Sequence, residues 1–191
     1  MPASALRPDA LAGRDVMVAG GDGSLERQLA ALGATTAALE ADLLNEKGVG
    51  AAVAAAAAPA TLVVDAGAAF NAAGAGHDGL RHCVDGSWNV VRAVADRHWI
   101  DRDDPGEGAR GKLLLLAPLP DAGLHAGAAR SALENLARTL STEWARYAIT
   151  TAAILPGAAT APEEVGELVA FLASPAGDYF TGCAFTLGGR A

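Results

Sequence analysis

The chain has 191 residues, about half of them hydrophobic, enough for one well-filled domain or at most two small ones. Roughly a quarter are Ala, Gly is abundant and aromatics are few, a composition that packs small side chains closely, as helices on a sheet do. A formal charge of −8 with no opposing basic patch argues against nucleic acid and anionic membrane as partners. The two cysteines, Cys83 and Cys183, stand too far apart in sequence for a disulfide framework or zinc site, which fits a reducing cytoplasm.

Residues 1–14 contain no long apolar run and read as a flexible lead-in, neither a signal peptide nor a membrane span. Strand-like and helix-like segments then alternate. Val16–Val18 is a short β-type run ending in Gly20, Gly21, Asp22 and Gly23. Ser24 to Leu32 predicts a helix, with Leu25, Leu29 and Leu32 on one face and Gly33 past its end. Thr35 to Leu39 is a weak strand, and Lys47 to Ala58 an Ala-rich helix halted by Pro59. Ala51 to Ala60, the longest apolar stretch, is too short and too weakly hydrophobic to cross a bilayer. Leu62, Val63 and Val64 form a continuous apolar run, as in a strand buried on both faces.

Leu80 to Trp99 carries Val84, Trp88, Val91 and Val94 at helical spacing. Asp101 to Lys112 is a charged, Gly-containing loop, followed by a buried strand at Leu113–Leu116. Ala128 to Tyr147 is the clearest helix, with Leu133, Leu136, Leu140 and Trp144 in one stripe. A strand from Ile149 to Leu155 stops at Pro156 and Gly157. Thr160 and Glu163 have capping-box spacing, and Pro162 suits a first helical turn, so a last helix opens here with Val165, Leu168, Val169 and Leu172 inward. Cys183 to Leu187 is a final strand that places Cys183 as buried filler. Alternation without a linker predicts one α/β domain over 1–191, with a mostly parallel sheet and helices on both faces.

The order of several short motifs resembles the short-chain dehydrogenase/reductase family. Ser131 to Leu140 is similar to the family helix after its catalytic Lys. Ile154-Leu155-Pro156-Gly157 with Thr160 resembles its "PG…T" segment. Pro162 to Val165, Phe171 to Pro175, Thr181-Gly182 and Gly188-Gly189 resemble its closing helix and strand. Asp42-Leu43 resembles the adenine-contacting pair, and Ala66-Gly67 the end of "NNAG". The resemblance implies a Rossmann-type, doubly wound parallel sheet of about six strands. It also implies NAD(P) as cofactor, contacted by Gly20, Gly21, Gly23, Asp42, Ala66 and Gly67.

The family's reaction needs a Tyr to protonate the carbonyl oxygen as hydride arrives, with a Lys four residues later. Aligned on the family pattern, the catalytic positions are Ala126 for Tyr, Arg130 for Lys, Pro118 for Ser and Cys83 for Asn. An alanine methyl donates no proton, and a guanidinium does not titrate near neutrality. The segment from Gly20 to Gly33 is about four residues short of the family pattern, and Glu26 puts a negative charge where a phosphate would sit, so no cofactor is expected and NAD(P) binding, if present, is weakened. The three glycines also fit a plain tight turn, Asp42 a loop, and Asp65, where the family has Asn, a turn or helix cap rather than a base. His77, His82, His98 and His125 have no metal-ligand spacing and read as surface or loop residues.

The leading expectation is a non-catalytic scaffold or regulatory subunit in a homo- or hetero-oligomer, pairing with itself or with a catalytically complete relative. In the family, the helices matching Leu80–Trp99 and Ala128–Tyr147 pack across a subunit interface, and the segment matching Val165–Leu187 builds another. Trp88, Trp99 and Trp144 are then interface anchors or plain core. Two alternatives remain: an active NAD(P)-dependent oxidoreductase using His125 or Arg130, and a small-molecule binding module with a changed ligand.

Overall fold

The computed structural model describes residues 6–100 and 111–188. Six strands form one parallel sheet: β1 (Asp15–Ala19), β2 (Thr35–Leu39), β3 (Thr61–Asp65), β4 (Gly111–Leu116), β5 (Ile149–Pro156) and β6 (Cys183–Leu187). Their order is β2-β1-β3-β4-β5-β6. The chain leaves β1 toward one edge and β3 toward the other, so the winding reverses between these two strands.

The helices are α1 (Ser24–Ala31), α2 (Glu46–Ala55), α3 (Ala66–Ala72), α4 (His77–Arg81), α5 (Ser87–Val94), α6 (Ala126–Glu143) and α7 (Pro162–Ala173). Wider π-type turns at His82–Gly86 and Ala95–Ile100 join α4 to α5 and extend α5, so the expected helix from Leu80 to Trp99 is one rod of mixed pitch. Leu62, Val64, Leu113 and Leu115 point to the face covered by α2, α3, α5 and α6. Val63, Leu114 and Leu116 point to the face covered by α1 and α7. Strands apolar on both faces thus end between two helical layers.

Several expectations change. Leu11 is fully buried and Leu6 packs beside it, so the described part of the 1–14 segment lies against the sheet rather than free of it. The loop expected over Asp101–Lys112 falls mostly outside the described residues, and its last two positions begin β4. Gly189, in the closing glycine pair, also lies outside them. No helix is expected over Ala66–Ala72 from its own pattern, but Asp65 fits a turn or helix cap, and it is the N-cap of α3. Cys183 is only partly buried, because β6 is the sheet edge. His98 is buried and bonded through Nε2 to the Val53 carbonyl, 3.1 Å away, not on the surface. Trp99 and Trp144 are core, whereas Trp88 is 41% exposed. The last helix is capped one residue later than the Thr160–Glu163 spacing implies: Ala161 is the N-cap, and its N–H donates to the Glu164 carboxylate at 3.0 Å.

One buried cation fastens the two layers. Lys112, near the start of β4, is 4% exposed. Its Nζ donates to the carbonyls of Leu172 (3.0 Å), Ala173 and Ser174 and pairs with Asp178 at 2.5 Å. Those carbonyls lie at the end of α7, where helical acceptors lack intrahelical partners and a positive charge is favoured. Burial lowers the Lys112 pKa, and Asp178 opposes that shift. Lys112→Met removes the charge and keeps the stem. It is expected to lower the unfolding free energy by about 2–4 kcal/mol in a urea titration.

Candidate functional site

The C-terminal ends of parallel strands are where an α/β sheet opens a crevice, next to the winding reversal. Here that crevice has a volume of about 240 Å³ and lies between α1, the start of α3, the segment after β4, the end of β5 and the start of α7. It contains Gly67 and Pro118 of the residues expected at the site. The other expected residues surround it, support it or lie elsewhere.

The glycine turn links β1 to α1. Gly20 has φ +81°, and a Cβ there would come within 2.9 Å of the Asp65 carbonyl, so only Gly lets the turn pass this close to β3. Gly23 is the left-handed N-cap of α1. The turn has the outline of a phosphate cradle, but its own acids occupy it. Asp22 Oδ1 accepts from the Ser24 N–H at 2.9 Å, at the start of α1. The Ser24 hydroxyl and N–H hold the Asp22 carboxyl below the usual carboxylate range. A methyl at Gly21 would lie 3.7 Å from Glu26 Oε2 and 3.8 Å from Asp65 Oδ2, so two further carboxylates bear on the same point. Glu26 Oε2 is enclosed and has no hydrogen-bond partner among the described residues. A pyrophosphate would meet three negative groups where the binding of an anion needs free N–H donors. The residues present do not fit a dinucleotide.

Asp65 is the polar feature that reading the sequence undervalued. It ends β3 and caps α3, with Oδ1 accepting from the Ala68 N–H at 2.8 Å. Burial pushes its carboxyl up to about 6, and the charges of Asp22 and Glu26 push the same way. The signal was available: a lone acid directly after a strand apolar on both faces.

At the other end of the crevice, Arg130 has become a clamp. Its Nη1 donates to the carbonyls of Pro118 (2.6 Å) and Pro156 (2.7 Å), tying the end of β5 to the segment leaving β4. Ala126 is fully buried. Cys83 is buried in the core, and burial pushes its thiol up to about 12, far from a working nucleophile. Ala66 is core as well. Gly67 allows α3 to start against the chain leaving β4, since a Cβ would come within 2.9 Å of the Ala117 carbonyl. Asp42 is exposed and closes a turn into α2, accepting from the Leu44 N–H at 3.1 Å. Thr160 accepts from the Gly157 N–H and donates to the Leu187 carbonyl, joining the ends of β5 and β6.

The chain's two tyrosines lie at the opposite edge of the sheet. Tyr147 comes two residues before β5 and Tyr179 four before β6, so both lie near strand N-termini, and Lys112 is the second residue of β4. His125 precedes α6 and is not among the crevice walls. Among the described residues, no group of three or more His, Cys, Asp or Glu could hold a metal.

Asp65 makes stability depend on pH. The folded state holds its proton more tightly than the unfolded chain. That contribution is complete below pH 4 and is lost as pH rises through about 6. Asp65→Asn keeps the cap and removes the charge. The variant is expected to gain about 2 kcal/mol over the parent at pH 7 and nothing at pH 4, by urea denaturation at both values.

No family model and no curated protein matches the sequence. Solved structures do match. The citronellol catabolism dehydrogenase AtuB of Pseudomonas aeruginosa PAO1 aligns with a TM-score of 0.73 and 23% identity over 98% of each chain. RhlG of Pseudomonas aeruginosa, in an active-site complex with NADP, aligns at 0.72 and 20% identity over 96% of this chain and 98% of the other. A short-chain dehydrogenase/reductase of Serratia marcescens aligns at 0.71 and 21% identity over 93% and 97%. The chain therefore has the Rossmann-like fold of the short-chain dehydrogenase/reductases along nearly its whole length.

Proposed function

We propose that this chain is a non-catalytic protein of the short-chain dehydrogenase/reductase fold, acting as a scaffold or regulatory subunit. Its partner is a second copy of itself or a catalytically complete relative. The observation that carries the reading is the position of the tyrosines and of Lys112, all across the sheet from the crevice. The acids on the glycine turn, Asp22, Glu26 and Asp65, support it further, since they oppose the NADP or NADPH that comparable structures hold. The alternative of an active oxidoreductase is disfavoured by the same geometry. Arg130 is committed to two carbonyls, and His125 stands outside the crevice.

Association is supported by what the fold leaves uncovered. Among the described residues, no strand pairs with the outer edge of β6. Beside it, Phe171, Phe180 and Phe185 stack in series, with centroids 5.8 and 5.6 Å apart, and each is only partly buried. Trp88 on α5 is also partly exposed. Edges and aromatic side chains of this kind suit subunit contacts. No helix among the described residues is long and apolar enough to cross a membrane.

The test joins two measurements. Saturating NADPH is expected to leave the Tm unchanged, because a ligand that does not bind the folded state cannot stabilise it. Sedimentation of the pure chain and a tagged pull-down from the native host are expected to show a stable oligomer or a stoichiometric dehydrogenase partner. A rise in Tm with NADPH, accompanied by turnover, would overturn the non-catalytic part. A chain that stays monomeric and captures no such partner would overturn the subunit part.

A further inference from the structure

The crevice has a shape and a charge that suit a ligand other than a nucleotide. Its walls are largely apolar, formed by Leu25, Leu116, Leu119, Pro156, Pro162 and Val165. The acid set into them is Asp65, largely buried, with only one oxygen engaged: Oδ1 takes the Ala68 N–H, and Oδ2 has no hydrogen-bond donor among the described residues. The charges acting on Asp65 are both negative, Asp22 and Glu26. The nearby cations do not pair with Asp65 among the described residues. Arg130 Nη1 is bonded to the Pro118 and Pro156 carbonyls, and Arg27 lies beside Gly23 and acts on Asp22. A buried carboxylate with a free oxygen, in an apolar cleft and a negative field, lacks a counter-charge. Gln28, Asn71 and Thr160 add polar groups at the rim.

We propose that the crevice binds a small amphiphilic primary amine, with its ammonium on Asp65 Oδ2 and its apolar body against Leu25, Val165 and the prolines. The ammonium supplies the missing positive charge and donates to the free oxygen, while the hydrocarbon replaces water along walls that make few hydrogen bonds. A hydrated metal ion satisfies only the first of these needs, and no three-ligand group is present among the described residues. An anionic nucleotide satisfies neither. This goes beyond the scaffold reading and stands whether or not the chain associates.

The probes are 2-phenylethylamine, cyclohexylmethylamine and n-hexylamine, each titrated by calorimetry and by amide shifts in NMR. The neutral control is 2-phenylethanol. At least one amine is expected to bind more than tenfold tighter than the alcohol at pH 7.5, with shifts centred on Gly67 and Ala68. Affinity should fall about tenfold by pH 5, where Asp65 is mostly protonated. Asp65→Asn is expected to lose the amine and keep its fold by circular dichroism. Val165→Trp, which fills the apolar end and leaves Asp65 in place, is expected to lose it too. The proposal is overturned if no amine binds at millimolar concentration or if alcohol and amine bind alike. It is also overturned if Asp65→Asn binds as the parent does, or if magnesium or calcium binds at these residues in preference to the amines.

Discussion

A parallel strand buried from end to end must be covered on both faces, and β4 imposes that demand on the whole molecule. All six of its residues are buried. The layer of α2, α3, α5 and α6 answers on one side, and the thinner layer of α1 and α7 on the other. Lys112 shows how tight the arrangement is. A charged residue at the base of this strand is tolerated because the end of α7 gives it three carbonyls and Asp178 gives it a carboxylate. The helix in turn obtains the donors its last turn lacks. Strand and helix therefore define each other's position, and the position of α7 fixes one wall of the crevice.

The same demand shapes the opposite edge. Where the strands end, the backbone needs new partners, and three side chains supply them. Arg130 ties the ends of β4 and β5, Thr160 ties β5 to β6, and Asp65 starts α3. Each of these polar residues bonds to main chain. The crevice left between them is apolar with one acid. Its chemistry is a by-product of how the sheet is closed off.

Much of the fold was legible in the residues. Strands β2 and β6 have the bounds that their apolar runs suggest, because turn residues mark both ends. Helix α6 has a clear Leu stripe and was readable at once. Helix α3 was not, since AGAAFNA has no polar face to set a period and depends on Asp65 for its start. The burial of Leu11 escaped notice because one Leu among turn residues makes no pattern. The site was legible in part. Glu26 was readable as an obstacle to phosphate from its place in the first turn of α1. The partners of Arg130 were hidden, since Pro118 and Pro156 come together only when β4 and β5 pair.

The Arg130 clamp has a consequence for engineering. Installing a proton-transferring Tyr–Lys pair at positions 126 and 130 looks like two small edits. Yet Ala126 is fully buried in the core, and a phenol there would have to displace its neighbours. A Lys ammonium is a point charge on a flexible stem, and it replaces the planar fork from which Arg130 Nη1 holds both carbonyls. Each edit alone loosens the crevice before any chemistry is gained. The two positions are coupled: the burial of Ala126 and the bonds of Arg130 both oppose such a pair.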